Sequence, residues 1–200
     1  MHSIWRLSLM ASLLCLGACV GESSAVNEYL DPRTAMTIRA TATPFIYAHD
    51  VPELAANVRD YLSVGAVETN NMGARRHYLA VVSWTTIDRG RAGLPPPAGV
   101  EALELELDGK TRTLQPQSHE PRSIGSGEPL FRPPSGYLSE TWYEVKPSDL
   151  RAFAAAPPAM LRVLRDDGAT DYAAWKRADD ALKAFVEGIP DAAPRNRPRR

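Results

Sequence analysis

Short stretches in which apolar and polar residues alternate constrain this chain more than any other feature. Residues 34–43 set Met36, Ile38, Ala40 and Ala42 against Thr37, Arg39, Thr41 and Thr43. Residues 100–107 set Leu103, Leu105 and Leu107 against Glu101, Glu104 and Glu106. A period of two puts one set on each face of a strand, so each segment buries one face and wets the other. Residues 77–87, HYLAVVSWTTI, are apolar or Thr on both faces, the pattern of a strand inside a sheet. Residues 45–48, 61–68, 111–115, 137–145 and 160–165 complete a set of seven to eight short strands. Asn70-Asn71-Met72-Gly73 and Asp108-Gly109 supply turns, since Asn, Asp and Gly tolerate positive φ.

Two helices are predicted late in the chain. Ser148 is placed to cap a short one, with Leu150, Phe153 and Ala154 inward and Pro157-Pro158 ending it. Tyr172, Trp175, Ala178, Leu182, Phe185 and Ile189 recur at three and four, which predicts an amphipathic helix over 171–187. The exposed face of that helix mixes signs (Lys176, Arg177, Asp179, Asp180, Lys183), so the stripe is expected to pack on the sheet. The expected fold class is α+β: mainly an antiparallel β-sandwich of seven to eight strands, with a short helix and a C-terminal amphipathic helix. With 44% hydrophobic residues the chain can fill a core, and one domain over 31–190 suffices. The 23 Lys plus Arg against 24 Asp plus Glu leave a net charge of −1, without the basic field that nucleic-acid binding requires.

The first eighteen residues, MHSIWRLSLMASLLCLGA, carry Arg6 and then an uncharged apolar run over 7–16. That run is too short to span a bilayer, which takes about 20 residues, and it has the form of a secretory signal peptide. The quartet Leu16-Gly17-Ala18-Cys19 follows at its end. It resembles the lipobox of the bacterial lipoprotein class, in which the Cys is acylated and becomes the first residue after cleavage. The resemblance implies a signal over 1–18, a lipidated Cys19 with a tether over 19–30, and a palmitate-bearing membrane anchor. Of the two cysteines, Cys15 leaves with the signal, so Cys19 has no partner for an intramolecular disulfide. Val20 stands where an Asp would favour inner-membrane retention in the enterobacterial members of the class, which implies the outer membrane with the domain facing the periplasm. The tether 20–26 would hold the domain within roughly 20 Å of the bilayer, at ~3.3 Å per extended residue. The domain behind it is similar in general pattern to many short proteobacterial lipoproteins of unknown role.

Catalytic and metal-binding motifs are not found. His49, His77 and His119 fall at no metal-ligand spacing, and H-E-x-x-H, C-x-x-C and G-x-S-x-G do not occur. His77, opening a strand, reads as structural. Gly125-Ser126-Gly127 lacks the strand and helix that flank a phosphate loop. Glu101, Glu104 and Glu106 read as a solvated strand face, and Trp84 and Trp142 as core aromatics, with glycan stacking as their alternative use. A Ser–His–Asp triad assembled across the fold is the remaining enzymatic route. No cofactor or metal is expected, and the chain is expected not to be an enzyme.

Two segments stand apart from this pattern. Residues 116–136 hold five prolines and separate two strands by about twenty residues, long for a connection inside a compact domain. Arg122, Phe131 and Arg132 are its candidate partner-binding residues; the bland reading is a loose surface loop that the fold does not need. Residues 191–200 are expected to form a disordered basic tail in which Arg195, Arg197, Arg199 and Arg200 could meet anionic lipid, lipopolysaccharide phosphate or peptidoglycan carboxylates. The expected function is that of a membrane-anchored, non-enzymatic envelope assembly or protein-interaction factor, using a sheet edge or the long loop on another envelope protein. The alternative is a binding module for a small ligand or glycan.

Overall fold

The computed structural model describes residues 24–55, 57–87, 91, 101–132, 137–166 and 168–190. The signal 1–18, Cys19 and the basic tail 191–200 lie outside the described residues. Ten strands are described: β1 Val26–Leu30, β2 Thr37–Thr41, β3 Phe45–Asp50, β4 Arg59–Asn71, β5 Ala74–Thr85, β6 Ala102–Leu107, β7 Lys110–Leu114, β8 Tyr137–Glu144, β9 Met160–Arg165 and β10 Gly168–Lys176. They are joined by two short helices, α1 Pro147–Ala155 and α2 Asp179–Glu187, and a 3-10 turn at Pro121–Ile124. No described helix is long and apolar enough to cross a membrane.

All ten strands join one curled, antiparallel sheet, in place of the two sheets expected of a sandwich. β4 is the reason. One edge of this 13-residue strand pairs along its length with β5, which in turn pairs with β8. Its other edge carries two strands in tandem: β3 lies against Arg59–Val64 and β2 against Val67–Asn70. From β3 the sheet continues through β10, β9 and β6 to β7; from β2 it ends at β1. The expected turns close two hairpins. Met72 and Gly73 (φ 50° and 96°) join β4 to β5, and Asp108 and Gly109 (φ 51° and 68°) join β6 to β7. Positive φ at both positions matches the twist of the flanking strands.

Alternation along β4, β5 and β8 gives the sheet a core on each face. Leu62, Val64, Ala66, Leu79, Val81 and Tyr143 face inward, where Leu150 and Phe153 of α1 and Leu182 and Phe185 of α2 pack on them. Val67, Tyr78, Ala80, Val82 and Trp142 face outward with Ile38 and Ala40. Ile124 and Phe131 cover that second face. Each large apolar side chain so buried is worth about 1.5–3 kcal/mol.

Three expectations are corrected. Residues 171–176 belong to β10, so the C-terminal helix starts only at Asp179, and Trp175 is 59% exposed. The cause is tertiary pairing: β10 lies between β9 and β3, and Arg162 and Asp171 form a cross-strand ion pair at 2.6 Å. Only the later half of the stripe, Leu182, Phe185 and Ile189, packs as helical spacing predicts. Residues 26–30, expected within the tether 19–30, form β1 and pair with β2. The short helix starts at Pro147, whose ring fits the first helical position, with Lys146 as its N-cap and Ser148 already inside.

Candidate interaction site at a sheet edge

The site is built on the β1–β2 hairpin. Asp31 closes it: its N–H donates to the Met36 carbonyl at 2.8 Å and its carbonyl accepts from the Ala35 N–H at 2.8 Å. The Asp31 carboxylate accepts from the backbone N–H of Arg33 (2.8 Å), Thr34 (3.3 Å) and Gly127 (2.5 Å). These amides, Gly127's first, hold its carboxyl below the usual aspartate value.

The bond to Gly127 ties the hairpin to residues 121–132, hereafter the strap. Thr34 Oγ1 donates to the Gly125 carbonyl at 2.7 Å, Arg33 Nη1 donates to the Gly127 carbonyl at 3.0 Å, and Arg33 pairs with Glu128 at 3.0 Å. Gly125 sits at φ 102° with Met36 against it, so a side chain there would meet both backbone strain and a collision. Gly65 of β4 is bare for a related reason: a Cβ there would strike the Phe131 ring. The loose surface loop is thereby corrected. The strap is packed structure, held by backbone hydrogen bonds and by Ile124 and Phe131 in the outer core.

The expected partner-binding residues part company here. Phe131 is 7% exposed and belongs to the core, so its ring is not presented to a partner. Arg122 is exposed, in the 3-10 turn. Arg132 is exposed and 3.7 Å from Glu128. Cys19 lies outside the described residues. Sequence reasoning missed Asp31, Arg33 and Thr34; their signal was Asp-Pro-Arg-Thr, a turn-forming run ahead of an alternating strand.

β1 ends the sheet path, and its register sets which backbone groups are open. Ala25 accepts from the Ala42 N–H at 2.9 Å, and the closing bonds at Asp31 lie six residues on. In an antiparallel ladder the bonded positions alternate. Ala25, Asn27, Tyr29 and Asp31 therefore turn their N–H and C=O toward β2, whereas Glu28 and Leu30 turn theirs outward. Tyr29 and Leu30 are also exposed side chains, at 41% and 65%. Beside this edge runs a groove of about 440 Å³ between β1–β2 and the strap, lined by Asn27, Tyr29, Arg33, Thr41, Glu128 and Leu130. The Thr41 hydroxyl is buried and without a hydrogen-bond partner. Partial burial and the nearby Asp31 raise the Tyr29 phenol above its usual value, and a hydrogen bond with Ser126 offsets part of the rise.

Under the strap lies Glu140 of β8, 1% exposed, with neither carboxylate oxygen hydrogen-bonded. Burial pushes its pKa up to about 7; the nearby Leu130 amide opposes the rise.

The catalytic alternatives do not assemble among the described residues. His77 Nε2 lies 2.9 Å from Glu68, which also pairs with Arg75 at 3.2 Å. His49 meets the Asp171 carbonyl at 3.0 Å and His119 the Thr141 hydroxyl at 3.1 Å. No described histidine bonds both a carboxylate and a hydroxyl, and no group of three metal-ligating side chains occurs among them. Trp84 stacks on Tyr61 at 4.2 Å and donates to Ser63, and Trp142 is fully buried; both are core residues, as read. Glu104 accepts from the Thr113 hydroxyl on the solvated strand face. Comparison of the chain with protein-family models, curated proteins and solved structures finds no match.

Proposed function

We propose that this chain is a periplasmic lipoprotein, lipidated on Cys19 and held at the outer membrane, that acts without catalysis as a protein-interaction factor of the cell envelope. The observation that carries the interaction reading is the open β1 edge beside the strap groove. An extended segment of another envelope protein added to β1 would take the outward Glu28 and Leu30 backbone groups. Alternate side chains of that segment would enter the groove, where the buried Thr41 hydroxyl awaits a partner. Main-chain bonds then supply affinity and the groove supplies selectivity.

The test is a pair of substitutions in cells carrying a photo-cross-linker in β1. Glu28→Pro removes an outward N–H, which a sheet edge tolerates, and is expected to abolish cross-links while the melting temperature stays near wild type. Glu28→Ala keeps the N–H and should keep the cross-links. Cross-links that survive Glu28→Pro would exclude the edge. For the anchor, Cys19→Ala is expected to yield an unprocessed, unlipidated chain that no longer partitions into detergent; unchanged mass and partitioning would remove the anchor and the location together.

One observation favours the small-ligand or glycan reading. Trp175 is exposed, with Arg59 4.7 Å over its ring and Tyr61 edge-on at 6.4 Å. Arg59 is itself held by Asp50 at 2.5 Å, so the indole is a fixed platform on which a sugar ring could stack. Titration of tryptophan fluorescence with envelope glycan fragments, in wild type and Trp175→Ala, separates this reading from the first.

A further inference from the structure

We infer that the segment added to β1 presents a basic side chain, Lys or Arg, to the strap groove; this rests on the edge reading above. The first ground is charge. The groove is lined by the carboxylates of Asp31 and Glu128 and by one guanidinium, that of Arg33. Arg33 is already engaged, through Nη1 on the Gly127 carbonyl at 3.0 Å and through Nη2 on Glu128 at 3.0 Å. Arg132 also addresses Glu128, at 3.7 Å. Both cations therefore answer the same carboxylate. Asp31 is held by three backbone amides, which satisfy its oxygens without cancelling its charge. Arg33 is the least of the causes that lower its carboxyl. The field crosses the groove: Asp31 and Glu128 both raise the Tyr29 phenol with the two arginines in place. Glu28, exposed on the same strand, adds a third carboxylate at the edge.

The second ground is an acceptor. Thr41 lines the groove, is 3% exposed, and its hydroxyl oxygen has no hydrogen-bond partner. Buried hydroxyls are ordinarily bonded. Ammonium and guanidinium groups carry only donors. Either would donate to this oxygen while its charge meets the carboxylates beside it. The third ground is reach. Thr41 stands on β2, one strand in from β1. An added strand would lie two strand spacings from it, about 9–10 Å. Asn27 and Tyr29 turn their backbone toward β2, so residues facing them on an added antiparallel strand fall in non-bonded pairs, where side chains approach most closely. Only a long side chain crosses from there to Thr41. Lys and Arg combine that length with positive charge.

For the test, protein purified from cells is titrated calorimetrically with acetylated, amidated peptides Thr-Val-Thr-X-Thr-Val-Thr, X being Lys, Met or Glu. Met matches Lys in length without the charge. The Lys peptide is expected to bind about ten-fold more tightly than the Met peptide, and the Glu peptide most weakly. Thr41→Val keeps the shape and removes the hydroxyl; Glu128→Gln removes one carboxylate. Each should narrow the preference for Lys over Met by about three-fold or more, with melting close to wild type. Equal affinities for the three peptides, or a preference undiminished in both variants, would overturn the inference; loss of all binding in Glu28→Pro would then still uphold the edge. Full competition by butylammonium chloride at matched ionic strength would also overturn it, making a free amine the ligand. Failure of the edge reading looks different: either no peptide binds wild type, or all three bind Glu28→Pro as they bind wild type, and the inference falls with it.

Discussion

Asp31 is bonded to the strap and Glu140 is buried beneath it, and the two respond to pH in opposite directions. Glu140 is buried without a hydrogen bond, and its folded pKa is raised from 4.5 to about 7. Between those values the folded state binds more protons than the unfolded chain, so stability falls as pH rises. A shift of that size corresponds to about 3 kcal/mol, fully present below about pH 4.5 and lost by about pH 7.5. Asp31 is the reverse case: its lowered carboxyl contributes above the ordinary aspartate value and loses that contribution as pH falls below it. Glu140→Gln should therefore flatten the decline between pH 5 and pH 7.5 in chemical denaturation; a decline of unchanged size would place the titrating group elsewhere. Packing at the same locus is equally exposed to single changes. Gly65→Ala pushes a methyl into the Phe131 ring and should destabilise by about 1–3 kcal/mol, whereas Phe131→Ala should lose about 3–5 kcal/mol.

At the scale of elements, α2 and the strap are the parts whose removal has predictable consequences. Phe185 is fully buried against the inner face, and Phe185→Ala should destabilise by about 3–5 kcal/mol. Trp175, from the same sequence stripe, is exposed on β10, and Trp175→Ala should cost no more than about 1 kcal/mol, the scale of its contact with Arg59. Equal losses in thermal melts would contradict the β10 assignment. Replacing the strap by a short Gly/Ser link should lower the melting temperature sharply and expose the outer face of Tyr78, Val82 and Trp142 to a hydrophobic dye; a wild-type melt would return the segment to the status of a dispensable loop. Elements with strong local signals were legible: the period-two runs of β2 and β6, the doubly apolar β5, and the Asp108-Gly109 hairpin. Those decided by distant partners were not. Tyr172 and Trp175 fit helical spacing, and pairing of their segment between β9 and β3, the latter far back in the chain, makes it a strand. β1, VNEYL, has one paired edge and four exposed residues, so burial leaves little pattern in it. Ile124 and Phe131 carry no period because they lie in irregular backbone over an outer face that a one-sided sheet would leave wet. Of the candidate site, Arg122 and Arg132 were placed on the surface as read, while the edge and its groove depend on register, which local pattern did not reveal.

For the molecule as a whole, the fork at β4 matters more than any single contact. By strand pairing, the arm ending at β1 and the arm running from β3 to β7 join only through β4, among the described residues. Either arm can open while the other stays closed, since few packed contacts link them beyond β4 and α2. Amide hydrogen exchange would then divide one continuous strand into two cooperative blocks. The β4 amides aimed at β2, within 67–70, should exchange together with the hairpin at a low opening energy. Those aimed at β3, within 59–64, should exchange only when the larger arm comes apart, and the boundary between the two rates should fall at Gly65 and Ala66.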